Sequence, residues 1–221
     1  ATFATVNGAA DGVGTDLTVT AAGDVTVTAT VEDGDLTVTA AGDAVITAAN
    51  SITGDLNVTA DGDVTITSAT AAAGDVNVTA GGDALIAAAA ATGSAIIVAG
   101  GTVGLTAALL EGDVTVTSTS AVGSDVVLTD VAAAAGTVTV NATGDITVTD
   151  ASAATELLLD NTGATAGDSI IVTDAALAET VVITSVGAVT ATAGTGLAAA
   201  ATVTVTAARD SAVTVGAVDS Q

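Results

Sequence analysis

Carboxylates recur at regular steps along the first half of this chain, and each follows a glycine. The aspartates of these Gly-Asp pairs lie at positions 24, 35, 43, 55, 63, 75 and 83, so a long step and a short step alternate. Carboxylate oxygens are the ligands that Ca²⁺ prefers in proteins. If alternate pairs stack on one another, the carboxylates form columns, and such a column is a candidate calcium site.

The alternating steps predict two columns. The first contains Asp24, Asp43, Asp63 and Asp83, and the second contains Asp16, Asp35, Asp55 and Asp75. The first column is the calcium candidate, with Asp11, Asp33 and Asp61 as second carboxylates near their corners. Calcium-binding nonapeptide repeats use a denser G-G-x-G-x-D pattern, so a solvated acidic face is the alternative.

The Gly-Asp pair also has a purely structural explanation. Glycine suits a corner that needs a positive φ, and aspartate can accept backbone N–H bonds in an Asx-type turn. Stacked carboxylates about 4.8 Å apart repel by roughly 1 kcal/mol per neighbouring pair in water, whereas burying one valine stabilises by roughly 1.5 to 3 kcal/mol. We therefore expect folding not to require a metal ion.

The chain lacks most of the side chains that catalysis uses. It has one basic residue, Arg209, and no histidine, cysteine or tyrosine. Acid–base and covalent catalysis draw mainly on such groups, so we predict no enzymatic activity. A pectinase-like β-helix enzyme is a weaker alternative, because clustered carboxylates there would need a basic partner.

The charge and hydropathy exclude two classes of partner. The net charge is -24, whereas binding to nucleic acid or to an anionic membrane surface depends on clustered basic residues. No apolar run approaches the roughly 20 residues of a membrane-spanning helix. We predict neither nucleic-acid binding nor membrane insertion.

Apolar and polar residues alternate between the aspartates. The residues one and three places after each Asp are aliphatic, as in Leu36 and Val38, and the residues between are mostly threonine or asparagine. Period-two alternation is typical of a strand with one buried face. Because one short and one long step together make a repeat of about 20 residues, stacking as parallel coils is favoured. Antiparallel hairpins are the alternative, but they give no reason for short and long steps to alternate.

We therefore predict an all-β fold, a parallel β-solenoid of roughly ten coils. A single domain is expected over residues 1–221. Residues 1–15 would be an N-terminal edge or assembly segment, residues 16–120 the regular coils, and residues 121–221 irregular coils. The spacing loosens after residue 113, which indicates longer corners there.

The long step of each unit contains a further segment. We expect one apolar residue of this segment to point inward, and the residues concerned are Val31, Ile52 and either Leu109 or Leu110. Two alanine-rich segments, residues 87–92 and 197–201, are interpreted as loops or corners, with helical turns as the alternative.

The phrase "GDLTVTAAGDAVITAANSITGDLNVTADGDVTITSATAAAGDVNVTAGGD", residues 34–83, resembles the haemagglutinin repeats of filamentous haemagglutinin and of large two-partner-secretion exoproteins. The resemblance covers residues 16–120 best. It implies a right-handed parallel β-helix, an extracellular or cell-surface location, and a role in adhesion, matrix or filament structure. It implies no catalytic residue and no cofactor.

Strand patterning extends close to both ends of the chain, in "TFATVN" and in "AVTVGAV". Uncovered solenoid ends expose unpaired strand edges, and a second copy can pair with them in an assembly that does not close. We predict a structural subunit of a secreted, self-assembling filament or matrix fibre, joined head to tail. Phe3 is the candidate anchor in the joint, with a plug for its own core as the alternative.

A monomeric surface adhesin or ligand-binding solenoid is the second functional hypothesis. One form of it is ice binding, because Thr-x-Thr on a flat solenoid face is similar to the motif of some antifreeze proteins. The threonines expected to stack include Thr18 on Thr37, Thr20 on Thr39, and Thr28 on Thr47. Aliphatic residues such as Val45 interrupt the grid on the neighbouring strands.

Overall fold

A computed structural model of the chain consists of short parallel strands joined by tight corners. It describes residues 2–7, 16–31, 33–120, 124–161, 168–173, 175–176, 179–191, 202–208 and 212–215. These residues form 27 strands, numbered β1 to β27 along the chain, and none of them lies in a helix. Within this described part there is accordingly no helix long and apolar enough to cross a membrane.

The strands lie on three faces of a rod, and the first face takes one strand from each coil. These strands are β2 (Leu17–Ala21), β4 (Leu36–Ala40), β6 (Leu56–Ala60), β9 (Val76–Ala80), β12 (Ala95–Ala99), β15 (Val114–Ser118), β18 (Val138–Asn141), β21 (Glu156–Asp160), β24 (Thr180–Ser185) and β26 (Thr202–Ala207). They form a ten-stranded sheet in chain order.

The second face follows the first in every coil. Its strands are β1 (Thr2–Asn7), β3 (Val25–Val31), β5 (Ala44–Ser51), β7 (Val64–Ile66), β10 (Ala84–Ile86), β13 (Val103–Leu105), β16 (Val126–Leu128), β19 (Ile146–Val148), β22 (Ile170–Val172), β25 (Val189–Ala191) and β27 (Val213–Val215).

The third face completes the coil. Its strands are β8 (Ala69–Ala71), β11 (Ala89–Ala91), β14 (Ala108–Leu110), β17 (Val131–Ala133), β20 (Ala151–Ala153) and β23 (Ala175–Ala176). The longer strands β3 and β5 run over both the second and the third face, and they join the two faces into one 17-stranded sheet.

Each strand pairs in parallel with the equivalent strand of the next coil. In the first face, Leu36 lies beside Leu56, and Leu56 lies beside Val76. The same in-register stacking holds on the other two faces, for example between Ala69 and Ala89. The predicted parallel β-solenoid of roughly ten coils is therefore confirmed, and the antiparallel alternative is wrong. The single-domain organisation of residues 1–221 stays a prediction.

Coil length is nearly constant at first and then varies. The corner bonds that join one coil to the next span 19 residues from Asp16 to Asp35 and 20 residues from Asp35 to Asp55. At the corner before β18, the equivalent hydrogen bond joins Asp113 to Thr137, which are 24 residues apart in the sequence. The added residues lie between β15 and β16, and again between β21 and β22, at the corner from the first face to the second. The expected loss of regularity after residue 113 is confirmed.

The core is a thin column of small aliphatic side chains. In one coil, Leu56 and Val58 enter it from the first face, Val64 and Ile66 from the second, and Ala69 from the third, and each is at most 1% exposed. The third face contributes mainly alanine, so it can lie close to the other two. Close packing of many small groups compensates for the absence of aromatic rings.

The inward residues of the third face differ partly from expectation. Ile52 is 40% exposed, because β5 ends at Ser51 and Ile52 already lies in the corner. Of the two leucines proposed for one position, Leu110 is buried and Leu109 is 66% exposed. The side chain of Val31 lies outside the described residues.

The alanine-rich segment 87–92 is only in part the loop or corner that its composition predicts, because residues 87, 88 and 92 lie at corners but the three residues between them form a strand. Ala89–Ala91 form strand β11, which pairs with β8 on one side and β14 on the other. The ladder on both sides overrides the weak strand preference of alanine. Residues 197–201, the second alanine-rich segment, lie outside the described residues.

Replacing Leu56 by alanine tests the assignment of the core. Leu56 is fully buried between two neighbouring coils, so Leu56→Ala should lower the free energy of unfolding by about 2 to 5 kcal/mol. The control is Leu109→Ala on the outward surface, which should change it by less than about 0.5 kcal/mol. Urea unfolding followed by circular dichroism measures both, and equal losses would contradict the assigned inward face.

Candidate functional site

The Gly-Asp aspartates lie at corners immediately before strands. Asp35 and Asp55 precede first-face strands β4 and β6, and Asp43 and Asp63 precede second-face strands β5 and β7. One column of carboxylates thus runs along the edge of the first face and another along the edge of the second. Both columns contain the aspartates that the alternating steps in the sequence predict.

Each carboxylate binds the backbone of the next coil. In the second-face column, the Asp43 N–H donates to Asp24 Oδ1 at 3.1 Å, the Asp63 N–H to Asp43 Oδ1 at 2.9 Å, and the Asp83 N–H to Asp63 Oδ1 at 2.8 Å. In the first-face column, the corresponding bonds between Asp16, Asp35, Asp55 and Asp75 measure 2.8 to 3.0 Å. We call this arrangement the aspartate ladder.

The main chain of the same residues is bonded in the opposite direction. The Ala44 N–H donates to the carbonyl oxygen of Asp63 at 2.8 Å, and the Val64 N–H donates to that of Asp83 at 2.8 Å. Corner N–H groups would otherwise lack a partner within the strand ladder. The aspartate ladder therefore carries the inter-coil hydrogen bonding around the corners, between one face and the next.

A hydroxyl replaces the carboxylate in one coil of the first-face column. The Ser94 N–H donates to Asp75 Oδ1 at 2.7 Å, and Ser94 Oγ in turn accepts from the Asp113 N–H at 3.2 Å. Because serine takes the place of aspartate with the same connection, this position needs an acceptor oxygen more than it needs a negative charge.

The glycines from Gly42 to Gly82 that precede an aspartate make room for the carboxylate of the previous coil. A Cβ atom on Gly62 would lie 2.1 Å from Asp43 Oδ1, and one on Gly82 would lie 2.0 Å from Asp63 Oδ1. The predicted positive φ occurs at Gly34, with φ 111°, but at no other glycine among the described residues. The prediction is therefore wrong elsewhere, and close approach of two coils is the reason for glycine.

Calcium binding by Asp24, Asp43, Asp63 and Asp83 stays a prediction. Within the described ranges, no three acidic side chains converge in a group that could hold a metal ion. The Oδ1 atom of each of the four accepts a hydrogen bond from a backbone N–H of the next coil. Of the proposed second carboxylates, Asp33 and Asp61 lie at corners, and Asp11 lies outside the described residues.

Phe3 lies in β1, where its backbone pairs with Val27 of β3. Its side chain lies outside the described residues, so its role as an assembly anchor stays a prediction.

Sequence reasoning treated Val45 only as an interruption of the threonine grid and did not identify the group of outward aliphatic side chains on the second face to which it belongs. Val45, Leu85, Val127 and Ile171 are 39 to 48% exposed. The sequence contains the information needed to find this group, because the residue two places after each second-face corner residue points outward. Comparing these positions coil by coil reveals the group.

Comparison with known protein families gives a match to part of the chain. A sequence profile described as haemagglutinin repeat matches residues 3–29, 20–85 and 184–221, which together make up more than half of the chain. No curated protein and no solved structure matches the chain.

Replacing Gly62 by alanine tests the close approach. The added methyl group would collide with Asp43 Oδ1, so Gly62→Ala should lower the free energy of unfolding by about 1 to 3 kcal/mol, as overpacking does. The matched control is Gly23→Ala, because Gly23 also precedes an aspartate but a Cβ there meets nothing within 4 Å. Urea unfolding should show a clear loss for the first variant and almost none for the second. Similar losses would mean that backbone freedom, and not contact, explains the glycines.

Replacing Asp55 tests whether the corner requires a hydrogen-bond acceptor or a negative charge. Asp55 Oδ1 accepts from the Asp75 N–H at 2.9 Å in a partly buried position. Asp55→Ala removes the acceptor and should lower the free energy of unfolding by about 1 to 3 kcal/mol. Asp55→Asn keeps an acceptor oxygen and removes repulsion along the column, so its unfolding free energy should stay within about 0.5 kcal/mol of the original. An asparagine variant as unstable as the alanine variant would show that the charge itself is required.

Proposed function

Because this chain belongs to the haemagglutinin-repeat family, we propose that it is a structural subunit of a self-assembling extracellular filament or matrix fibre. Proteins of this family are associated with secretion and the cell surface, and are generally structural or adhesive. In our proposal, copies join head to tail through the ends of the solenoid, and the chain is not an enzyme.

The observation that carries the proposal is the exposure of core-facing side chains in β26. Val203, Val205 and Ala207 are only half-buried, whereas Val181 and Ile183, one coil earlier, are at most 2% exposed. The core side chains of β26 are covered from one side only in the described part of the chain. A further coil stacked on β26 would bury them as fully as their neighbours.

The strand at the other edge of the sheet suits this role. In β2, Leu17 and Ala21 are likewise half-buried. The sequence of β2 is LTVTA, and the last five residues of β26 are VTVTA. If Val203 stacks beside Leu17 of a second copy, aliphatic residues continue the buried columns. In the same register, threonines continue the outward columns.

The two strands are also the edges of the ten-stranded sheet formed by the described residues. A sheet edge presents unpaired N–H and C=O groups to other chains. An interface between two different ends of a molecule propagates without closing, so it builds a fibre instead of a dimer. Because each copy carries a net charge of -24, joining should be stronger at higher ionic strength, where this repulsion is screened.

A monomeric adhesin or ligand-binding solenoid is the second candidate. A shallow groove of about 400 Å³ runs beside the third face, with Ala90, Leu109 and Glu111 in its lining. Such a groove can hold an apolar group of a ligand. A single particle size that does not change with concentration would favour this candidate.

Ice binding through the Thr-x-Thr face is a special form of the second candidate. Thr20, Thr39, Thr59 and Thr79 stack in register on the first face, and all four are exposed. Val98 takes the same position in the next coil, so the hydroxyl column extends over four coils there. Measurable thermal hysteresis of the freezing point would favour this form.

A charge placed at the edge strand tests head-to-tail joining. Val205→Lys puts an ammonium group at the half-buried end of the core, where a second copy would have to bury it without a partner. The unmodified chain should form filaments in about 0.5 M NaCl. The variant should remain as single rods about 50 Å long, since the strands of the first face stack about 4.8 Å apart. Electron microscopy and small-angle scattering measure the lengths.

The matched control is Thr206→Lys, which adds the same charge on the outward side of the same strand. It should still form filaments. Single rods of the unmodified chain at every concentration would contradict head-to-tail joining.

A further inference from the structure

The second face has one strand more than the first. Among the described residues, ten strands form the first face, from β2 to β26, and eleven form the second face, from β1 to β27. The surplus strand is β1, because it pairs with β3, and β3 already follows β2 within the first complete coil. At the other end, β26 and β27 belong to one coil, since they pair with β24 and β25. The two ends of the rod are therefore stepped differently.

This difference constrains the joint between two copies in which β26 of the first stacks on β2 of the second. In a parallel solenoid, all faces of a coil advance together by about 4.8 Å. Once β2 of the second copy lies next to β26, β3 of that copy must lie next to β27. The same edge of β3 is already occupied by β1, because β5 pairs with the opposite edge. In this joint, β27 of the first copy and β1 of the second therefore require the same position.

We propose that β1 of the second copy takes this position and displaces β27 of the first copy from β25. We call this step strand exchange. The second face then continues across the joint from β25 through β1 to β3, while the first face continues from β26 to β2. This inference rests on the proposed head-to-tail function and specifies how its joint is built. β1 is the strand that recognises a second copy, and β27 covers the position while the copy is alone.

The strand pairing favours the release of β27 over the release of β1. β27 is held by three paired positions on β25, whereas β1 is held by four on β3. If β27 leaves, β1 keeps its pairing with β3 and pairs with β25 as well. If β1 leaves instead, four paired positions are given up and β27 restores three. Release of β27 therefore loses fewer main-chain hydrogen bonds.

The inward residue of β27 is incompletely buried in the single rod. Val213 is 48% exposed, although Val189, which lies beside it in the neighbouring coil, is fully buried. A valine this exposed contributes only part of the stabilisation that full burial gives. β27 is therefore held weakly, as a strand that another chain replaces must be.

The spacing of β1 is that of an ordinary coil. In β5, the step from the second face to the third spans residues 46–49, which is three residues, and β7 and β8 repeat it. In β3, the equivalent step spans residues 27–29 and is one residue shorter. In β1, it spans residues 3–6 and is three residues again. β1 therefore matches an ordinary coil of another copy, whereas displacing β1 would bring the shortened strand β3 against that coil.

The residue types at the joint are complementary in size. The proposed register places Phe3 of the second copy beside Ala191, where Val215 lies in the single rod. By its backbone pairing with Val27, Phe3 is in register with one inward column of the second face. From Val27 to Val215, Ala191 is the one alanine of that column in the described chain, and the other members are valine, leucine or isoleucine. A large residue beside a small one fills the column without overpacking it.

Disulfide crosslinking between two single-cysteine variants identifies the strand that lies on β25. The chain has no cysteine, and backbone pairing places Thr2 and Thr190 in one column of the second face. Neighbouring parallel strands lie about 4.8 Å apart, which is within the range of a disulfide. An equimolar mixture of Thr2→Cys and Thr190→Cys, oxidised in about 0.5 M NaCl, should give the mixed dimer as its main product.

Two other mixtures report the other possible arrangements of the second face. Thr26→Cys with Thr214→Cys forms a crosslink if β27 stays in place and β1 is displaced. Thr2→Cys with Thr214→Cys forms one if β1 stacks on β27 without strand exchange. A main crosslinked product from either of these mixtures, in place of the first, would overturn the proposal.

A fourth mixture distinguishes failure of strand exchange from failure of the proposed function. When Val203 lies beside Leu17 of the next copy, Thr206 lies beside Thr20, and both threonines are exposed in the single rod. Thr20→Cys with Thr206→Cys should therefore form a crosslink in every such joint. A crosslink here without one between positions 2 and 190 would overturn strand exchange and keep head-to-tail joining. No crosslink in any mixture would overturn both.

Weakening each end strand tests strand exchange by the direction of the effect. Thr214→Gly lowers the strand preference of β27, so β27 should leave more readily, and the protein concentration at half-assembly should fall about fivefold. Thr2→Gly weakens β1 in the same way and should raise that concentration about fivefold. Light scattering in about 0.5 M NaCl measures both concentrations, and circular dichroism confirms that each variant folds. The opposite pair of shifts, or no shift in either variant, would overturn the proposal.

Discussion

The structure depends on one constraint, which is that successive coils must approach to backbone hydrogen-bonding distance at their corners as well as on their faces. On the faces, ordinary parallel pairing meets this requirement. At the corners, a carboxylate reaches the next coil, as Asp43 Oδ1 reaches the Asp63 N–H. Glycine must stand beside it, because a Cβ on Gly62 would occupy the same space. This contact determines the register of the strands, and with it which residues point inward and which residues stack in columns on the surface.

Much of the fold is predictable from the sequence, because the information is local and repeated. Alternation identifies inward residues such as Leu36 and Val38, and the alternating steps identify which aspartates stack. The role of the glycines is not predictable, because Gly62 meets an atom of Asp43, which lies in another coil. The spacing in the sequence shows that two corners are neighbours, but not how closely they approach. Close contact and positive φ both select glycine, and only the geometry separates them.

The errors have a common physical origin in how strands and corners fit around a narrow rod. Ala89–Ala91 have weak strand preference, yet a narrow core demands small side chains, and pairing on both sides holds them extended. Ile52 is apolar and is therefore predicted to point inward, but the strand before it ends one residue earlier. The predicted stack of Thr28 on Thr47 fails similarly, since a register shift after Val27 pairs Thr28 with Ala48. Propensity does not encode strand ends and bulges.

In a solenoid, residues required for folding recur once in every coil, so a surface pattern with a different repeat length can be told apart from them. Burial, corner bonding and close approach are the same problem in every coil, so the residues that solve them recur once per coil. A surface pattern that recurs every second coil cannot be required by any single coil. In the sequence, Val45 and Leu85 look like interruptions of a threonine grid, but in space they belong to a column with its own period. Aliphatic residues of that column occur also where coil length changes, at Val127 and Ile171, so the outward pattern of the second face follows the stacking of the coils and not the spacing in the sequence.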